Sequence, residues 1–185
     1  MHCTHLIAAD TWYVGASDRR LAKFENLFPI PRGVSYNSYV ILDEKTALLD
    51  TADASVSGQF LENVAHALGG RSLDYLIVDH MEPDHAATIA EALLRWPEGQ
   101  IVCNAKTVPM LKAYFPASAG KVDEALLVKE GDVLSLGTHD LTFVMAPMVH
   151  WPEVMFTYDK TTQVLFSADA FGTFGALDSN IFADQ

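Results

Sequence analysis

Apolar positions alternate with polar ones, or run together as β-branched and aromatic side chains, over Thr11–Val14, Ser35–Leu42 and Thr46–Leu49, with Gly, Asp or Pro at the boundaries. These stretches predict an opening antiparallel sheet. Over Ser55–Leu68 the period lengthens: Phe60, Val64 and Leu68 recur four residues apart and Gly69-Gly70 follow, which predicts an amphipathic helix stopped by glycine. Leu73–Val78 has the short apolar run of a buried strand. After a turn at Pro83, Ile89, Leu93 and Trp96 restore helical spacing over Asp84–Trp96. The alternation repeats with a strand at Gln100–Cys103 and a helix at Thr107–Phe115. Further strands are predicted at Ala125–Val128, Val133–Leu136, Asp140–Ala146, Val154–Tyr158 and Val164–Ser167. Helices interleave with strands in the middle while both flanks are strand-rich, an order that suits two mixed sheets packed face to face with helices outside. Phe171–Gln185 holds apolar residues without a clear period, and the chain shows no internal repeat or low-complexity linker.

Composition narrows the function classes. A chain of 185 residues buries roughly 70% of the surface its unfolded form exposes, enough for one domain with its own core. Twelve Lys and Arg against 24 Asp and Glu give a net charge of −12, and Arg19-Arg20 is the only adjacent basic pair, so phosphate backbones and anionic lipid are disfavoured as partners. No apolar run approaches the ~20 residues of a membrane span, and the start has no signal-peptide layout; a soluble cytoplasmic protein is the expectation. Cys3 and Cys103 form no Cys-x-x-Cys pair, which argues against a thiolate metal site or a disulfide scaffold and leaves both as reduced bystanders.

The densest chemical signal is His80-Met81-Glu82-Pro83-Asp84-His85, four metal-ligating side chains in six residues directly after an apolar strand. Residues two apart at a strand end project to one side, so His80 and Glu82 could share one cation, while Asp84 and His85, past the turn, face a second. Pro83 fixes the backbone between the two pairs. Carboxylates with imidazoles suit iron, manganese or zinc. Two later candidates follow predicted strands: His150, in Pro147-Met148-Val149-His150-Trp151-Pro152, and Asp169, in Ser167-Ala168-Asp169-Ala170, whose two oxygens could bridge two ions. Asp50 and Asp53 read as turn or cap residues, and His2, His5, His66 and His139 as structural or solvent-facing. Glu153 reads as an exposed acid ahead of a partner to a ligand, and Asp79 stands evenly between a structural role and a bond to a ligand imidazole.

The motif His80-x-Glu82-x-Asp84-His85 resembles that of the flavodiiron proteins, a branch of the metallo-β-lactamase superfamily. Tyr36-Asn37-Ser38-Tyr39, His150-Trp151-Pro152 with Met155-Phe156-Thr157-Tyr158, and Leu165-Phe166-Ser167-Ala168-Asp169-Ala170-Phe171-Gly172 are similar to segments of the same family. The resemblance runs from about residue 10 to residue 185. It implies an α/β fold, the metallo-β-lactamase-like αββα sandwich, with His80, Glu82 and His150 on one iron, Asp84 and His85 on the other, and Asp169 bridging. Superfamily hydrolases typically carry histidine at the position of Glu82 and bind zinc. Here Glu82, Asp84 and Asp169 set three negative charges against two ferrous ions, and anionic oxygen donors favour the oxidised state. The family reduces dioxygen to water or nitric oxide to nitrous oxide, with electrons passed through FMN in a flavodoxin-like domain.

Two departures shape the expectation. Nothing in the chain resembles a flavin phosphate loop, so FMN binding by this chain is not expected and a flavin-containing electron donor must come from elsewhere. The family also places a further histidine downstream of the bridging aspartate, and none follows Asp169. The chain therefore reads as about three quarters of a single domain with its C-terminal part missing, leaving an apolar sheet face open to homodimer formation or to a partner that supplies the segment. Asp79 and Ala86-Ala87 stand where the resemblance leads one to expect Asn or Ser before the motif and Ser-Gly after it. The alternatives are a dinuclear zinc hydrolase of the same superfamily and an inactive domain that binds metal or a partner.

Overall fold

The computed structural model describes residues 2–178 and 181. Strands β1 (His5–Ala8) and β2 (Thr11–Tyr13) open the chain; β3 (Ala16–Asp18) then pairs with β6 (Val34–Tyr36), and β4 (Lys23–Phe24) with β5 (Phe28–Pro29). Strands β7 (Tyr39–Leu42), β8 (Thr46–Leu49), β9 (Tyr75–Ile77), β10 (Gln100–Cys103) and β11 (Leu126–Leu127) join β1 and β2 in a seven-stranded sheet of order β1-β2-β7-β8-β9-β10-β11. Its first half is antiparallel, and from β8 to β11 it is parallel. Parallel neighbours need crossovers, and helices supply them: α1 (Ser57–Leu68) between β8 and β9, α2 (Pro83–Ala86) and α3 (Ile89–Arg95) between β9 and β10, α4 (Thr107–Tyr114) and α5 (Ala119–Asp123) between β10 and β11. A second, antiparallel sheet runs β12 (Val133–Ser135), β13 (Asp140–Met145), β14 (Met155–Asp159) and β15 (Val164–Phe166) in chain order.

Two cores follow from strand alternation. Val40, Leu48, Leu76 and Ile101 face one way, against Phe60, Val64 and Leu68 of α1, Ile89 and Leu93 of α3 and Leu111 of α4. Ile41, Ala47, Leu49, Ile77 and Val102 face the other way and meet Leu141, Phe143, Met155 and Phe166 of the second sheet. With both faces covered, β8 is buried at every position, as a central strand must be. The layers are helices, seven-stranded sheet, four-stranded sheet.

The structure corrects the element bounds at several places. Ser35–Leu42 is not one strand: β6 ends at Tyr36 and β7 starts at Tyr39, because the chain crosses there from the small β3–β6 pair into the main sheet. Ser38 marks the crossing, donating its hydroxyl to the Asp50 carbonyl (3.0 Å) and accepting Val14 N–H (2.9 Å). Gly15 is required beside it, since a Cβ there would lie 1.9 Å from the Tyr36 carbonyl oxygen. The helix expected over Asp84–Trp96 is broken into α2 and α3, and Thr88 at the break donates its hydroxyl to the Ala52 carbonyl at 2.7 Å. Helix α1 stops as the pattern predicts, at Gly69 with φ 58°. Cys3 and Cys103 are free thiols, and no described helix is long and apolar enough to cross a membrane. Residues 179–180 and 182–185, within the final stretch lacking a period, lie outside the described residues.

Candidate metal centre

The donors gather where strands of both sheets end. Parallel β8 and β9 finish at the same edge, delivering Asp50 just beyond Leu49 and Asp79-His80 just beyond Val78. In the antiparallel second sheet the end of β13, the start of β14 and the end of β15 also share one edge, so the loop carrying His150 and the turn carrying Asp169 emerge together. Met155 N–H donates to the Asp79 carbonyl (3.0 Å) and the Thr157 hydroxyl to Asp79 Oδ1 (2.8 Å), which brings the two edges into one place. Pro83 opens α2 at the position where a missing N–H is harmless, and the following turn sets Asp84 and His85 facing back toward His80. His85 is held from behind, its carbonyl accepting both the N–H and the hydroxyl of Thr51 at 2.7 Å each.

The six predicted donors fall into two groups sharing one member. His80 Nε2 lies 3.2 Å from Glu82 Oε2 and 3.2 Å from Asp169 Oδ2, and His150 Nε2 lies 2.7 Å and 3.2 Å from the same two oxygens. In the second group His85 Nε2 is 2.8 Å from Asp169 Oδ1 and 3.6 Å from Asp84 Oδ2. Donor atoms within each group all lie within 4.8 Å of one another, and Asp169 turns one oxygen to each. His80 is wholly buried, whereas His150 is 54% exposed.

Two residues the sequence reading set aside stand directly behind these imidazoles. Glu153 is not an exposed acid: its side chain is fully buried, and Oε1 accepts His80 Nδ1–H at 2.8 Å and Met81 N–H at 3.0 Å. Asp50 is more than a turn residue. Its Oδ2 accepts His85 Nδ1–H at 3.0 Å, and Oδ1 accepts Asp79 N–H at 2.8 Å. Its φ of 52° is a left-handed conformation that Asp tolerates better than most residues. Each carboxylate thereby leaves the Nε2 side of its imidazole for a cation. Asp79 reaches Thr157 rather than an imidazole, and His139, as read from the sequence, is structural, donating Nδ1–H to Asp159 at 2.8 Å. The signal for Asp50 and Glu153 was positional, since Asp50 follows the end of β8 and Glu153 shortly precedes the start of β14, at the same edge as the motif.

Electrostatics bear on what the pocket holds. Burial opposes charge on His80, yet its bonds to Asp169 and Glu153 outweigh that and push its pKa up to about 10. His85 is likewise raised well above the ordinary histidine value, burial again being overcome, here by Asp169 and Asp50. Burial raises Asp84 to about 6, opposed by the charge of His85 and assisted by Asp169 and Glu82. Asp169 is held far below the carboxylate range because the bonds from His80 and His85 outweigh its burial. Protons on two imidazoles thus neutralise the carboxylates at the points where a divalent cation would sit. Asp84 Oδ1 is buried without a hydrogen-bond partner, an oxygen a cation would satisfy. The nitrogen and oxygen donors, with no thiolate among them, suit iron, manganese or zinc. A cleft of about 460 Å³ opens onto the donors, walled by Phe24, Phe28, Tyr36 and Phe174.

Against known proteins, the family model described as "ODP family beta lactamase" matches residues 34–185, most of the chain. The chain belongs to that family. Among curated relatives of this ODP-family chain, the anaerobic nitric oxide reductase flavorubredoxin of Salmonella arizonae is 36% identical over 184 residues, which cover 97% of this chain and 37% of that protein. Among solved structures, the flavodiiron protein from Giardia intestinalis superposes over the whole chain with a TM-score of 0.90 at 27% identity, and 44% of that chain is covered. Rubredoxin oxygen:oxidoreductase from Desulfovibrio gigas gives a TM-score of 0.90 at 30% identity over 98% of this chain and 44% of its own. The fold is that of the metallo-β-lactamase-like domain of these flavodiiron proteins. The chain spans less than half the length of each.

Proposed function

We propose that the chain is a single metallo-β-lactamase-like diiron domain of a flavodiiron-type oxidoreductase that reduces dioxygen to water, nitric oxide to nitrous oxide, or both. Its electrons come from a flavin-containing donor, FMN in the flavodiiron proteins, that this chain does not itself bind. The observation that carries the reading is the place of Glu82 in the first donor group: with Asp84 and Asp169 it surrounds two cation positions with three carboxylates, a charge suited to a redox-active pair. His80, Glu82, His150 and Asp169 would hold one ion, and Asp84, His85 and Asp169 the other. Iron held there would supply one electron per ion to a small diatomic substrate.

The chain's own groups do the rest. Asp169 fixes the spacing of the two positions by offering one oxygen to each. Glu153 and Asp50 set the imidazole orientation from behind. The aromatic walls of the cleft admit a small apolar molecule more readily than a solvated anion. Coupling two nitric oxide molecules takes two electrons and two protons and yields nitrous oxide and water, within the capacity of one diferrous pair. Dioxygen takes four electrons and four protons to two waters, so the donor must deliver twice. Free thiols at Cys3 and Cys103 accord with a cytoplasmic setting.

The test is anaerobic reconstitution with ferrous iron, metal analysis, then exposure to nitric oxide and, separately, to dioxygen with a reduced flavin as donor. The expected result is two irons per chain and one nitrous oxide per two nitric oxide consumed. A preparation that holds only zinc and hydrolyses esters or phosphodiesters without reductant would replace this reading with that of a zinc hydrolase.

A further inference from the structure

Of the three imidazoles in the cluster, His80 is the most deeply buried. Its side chain is fully buried, and its ring meets Trp151 edge-on with centroids 5.3 Å apart, whereas His150 beside it is 54% exposed. When a cation displaces the proton on Nε2, the proton left on Nδ1 is held by Glu153. One carboxylate oxygen, Oε1, accepts two donors, both from the metal-binding loop: His80 Nδ1–H at 2.8 Å and Met81 N–H at 3.0 Å. The Glu153 backbone is pinned in turn, its carbonyl accepting from Asn104 Nδ2 at 2.5 Å. The other carboxylate oxygen, Oε2, is buried with no hydrogen-bond partner. A desolvated carboxylate with one oxygen unbonded is a poor device for stabilising a fold, because a neutral side chain there would avoid the burial of charge. It makes sense as a fixed negative charge aimed at one imidazole.

We propose that Glu153 is a positioning residue for the first cation position. It holds His80 as the Nδ1–H tautomer, leaves the Nε2 lone pair for the metal, and lends the imidazole negative charge that tightens the bond. The inference rests on the two-position reading above and adds a residue outside both donor groups. Because Asp50 serves His85 in the same way from a different strand end, the effect of Glu153 is confined to the first position.

Cobalt(II) titrated anaerobically into the metal-free chain, with a chromophoric chelator in competition, reads both positions through visible absorption. Glu82→Ala and Asp84→Ala mark which spectral component belongs to the first and which to the second. Glu153→Gln, which can still accept from Nδ1–H but lacks the charge, is expected to weaken the first position about tenfold, and Glu153→Ala about a hundredfold, with the second position unchanged. Loss confined to Glu153→Ala supports orientation by the hydrogen bond and overturns the contribution of charge. Wild-type affinity at the first position in both variants overturns the inference, as does an equal loss at both positions, which would mark a general effect on the fold. A wild-type chain that takes up fewer than two ions fails at an earlier step and removes the two-position reading, whatever the variants do.

Discussion

In the metal-free chain, protons hold the places that cations would take, so metal uptake should be a proton-for-metal exchange of countable size. His80, at about 10, and His85, raised well above the ordinary histidine value, are both charged at pH 7. A cation on Nε2 of each must expel the proton there, so filling both positions at pH 7 should release about two protons. For His80 the expulsion at pH 7 costs about 4 kcal/mol, from three pH units at about 1.36 kcal/mol each. Apparent affinity at the first position should therefore rise roughly tenfold per pH unit from 7 toward 10. Below about pH 6 the Asp84 carboxyl also binds a proton and adds a third to the exchange at the second position. Calorimetric titration of the metal-free chain with zinc in two buffers of different ionisation enthalpy gives the proton count directly. A count near zero at pH 7, or an affinity indifferent to pH between 7 and 9, would show that the imidazoles are already neutral and that hydrogen-bonded protons do not stand in for cations.

The same groups govern stability without metal. The folded-state pKa of His80 lies above its ordinary 6.5, so its contribution is complete below pH 6.5 and is lost as pH rises through about 10. Metal-free protein should accordingly lose up to about 5 kcal/mol between pH 6.5 and 10, seen as a falling Tm in chelator, and a flat profile would contradict it. Asp50→Asn keeps the left-handed backbone but has one acceptor oxygen for donors that Asp50 takes on two, Asp79 N–H and His80 N–H on Oδ1 and His85 Nδ1–H on Oδ2. It should destabilise the fold by about 1–3 kcal/mol and weaken cation binding at the second position about 10- to 100-fold, measured by melting and by metal titration.

Some of this was legible in the sequence because it is local. The ligand motif occupies six consecutive residues after one apolar strand, and Gly69 closes an amphipathic helix whose period is visible over three turns. His150 and Asp169 could be nominated because each follows a predicted strand, and the structure sets both beside Glu82 or His85. What escaped depends on partners far along the chain. Asp50 lies 35 residues from His85, and Glu153 lies 73 from His80. An aspartate after a strand looks like a turn former, and a glutamate beside proline looks solvated, until the opposing imidazole is known. The split of Ser35–Leu42 escaped for a related reason: both halves have strand character, and only the approach of Tyr36 to Gly15 and the bond from Ser38 to Asp50 show that they belong to different sheets.

The division of donors between the sheets has its own consequence. His80, Glu82, Asp84 and His85 follow β9 of the seven-stranded sheet, while His150 and Asp169 follow β13 and β15 of the other. Each cation position therefore draws from both layers, and its dimensions depend on how the sheets sit over their shared apolar core of Leu49, Ile77, Phe143 and Met155. Hydrogen bonds fix that seating at several points, one of them Asp79, which takes Met155 N–H on its carbonyl and the Thr157 hydroxyl on its carboxyl. Burial, together with the nearby charge of Asp50, raises the Asp79 carboxyl well above the ordinary value, which lowers the cost of placing this contact in an apolar interior beside a charged cluster. A cation that binds across this seam binds only the assembled pair of sheets. Its affinity is added to fold stability as about 2.7 kcal/mol when free metal is a hundredfold above Kd. The metal centre and the sandwich are then one cooperative unit, and a substitution that loosens the Asp79 contacts should lower metal affinity without touching a ligand.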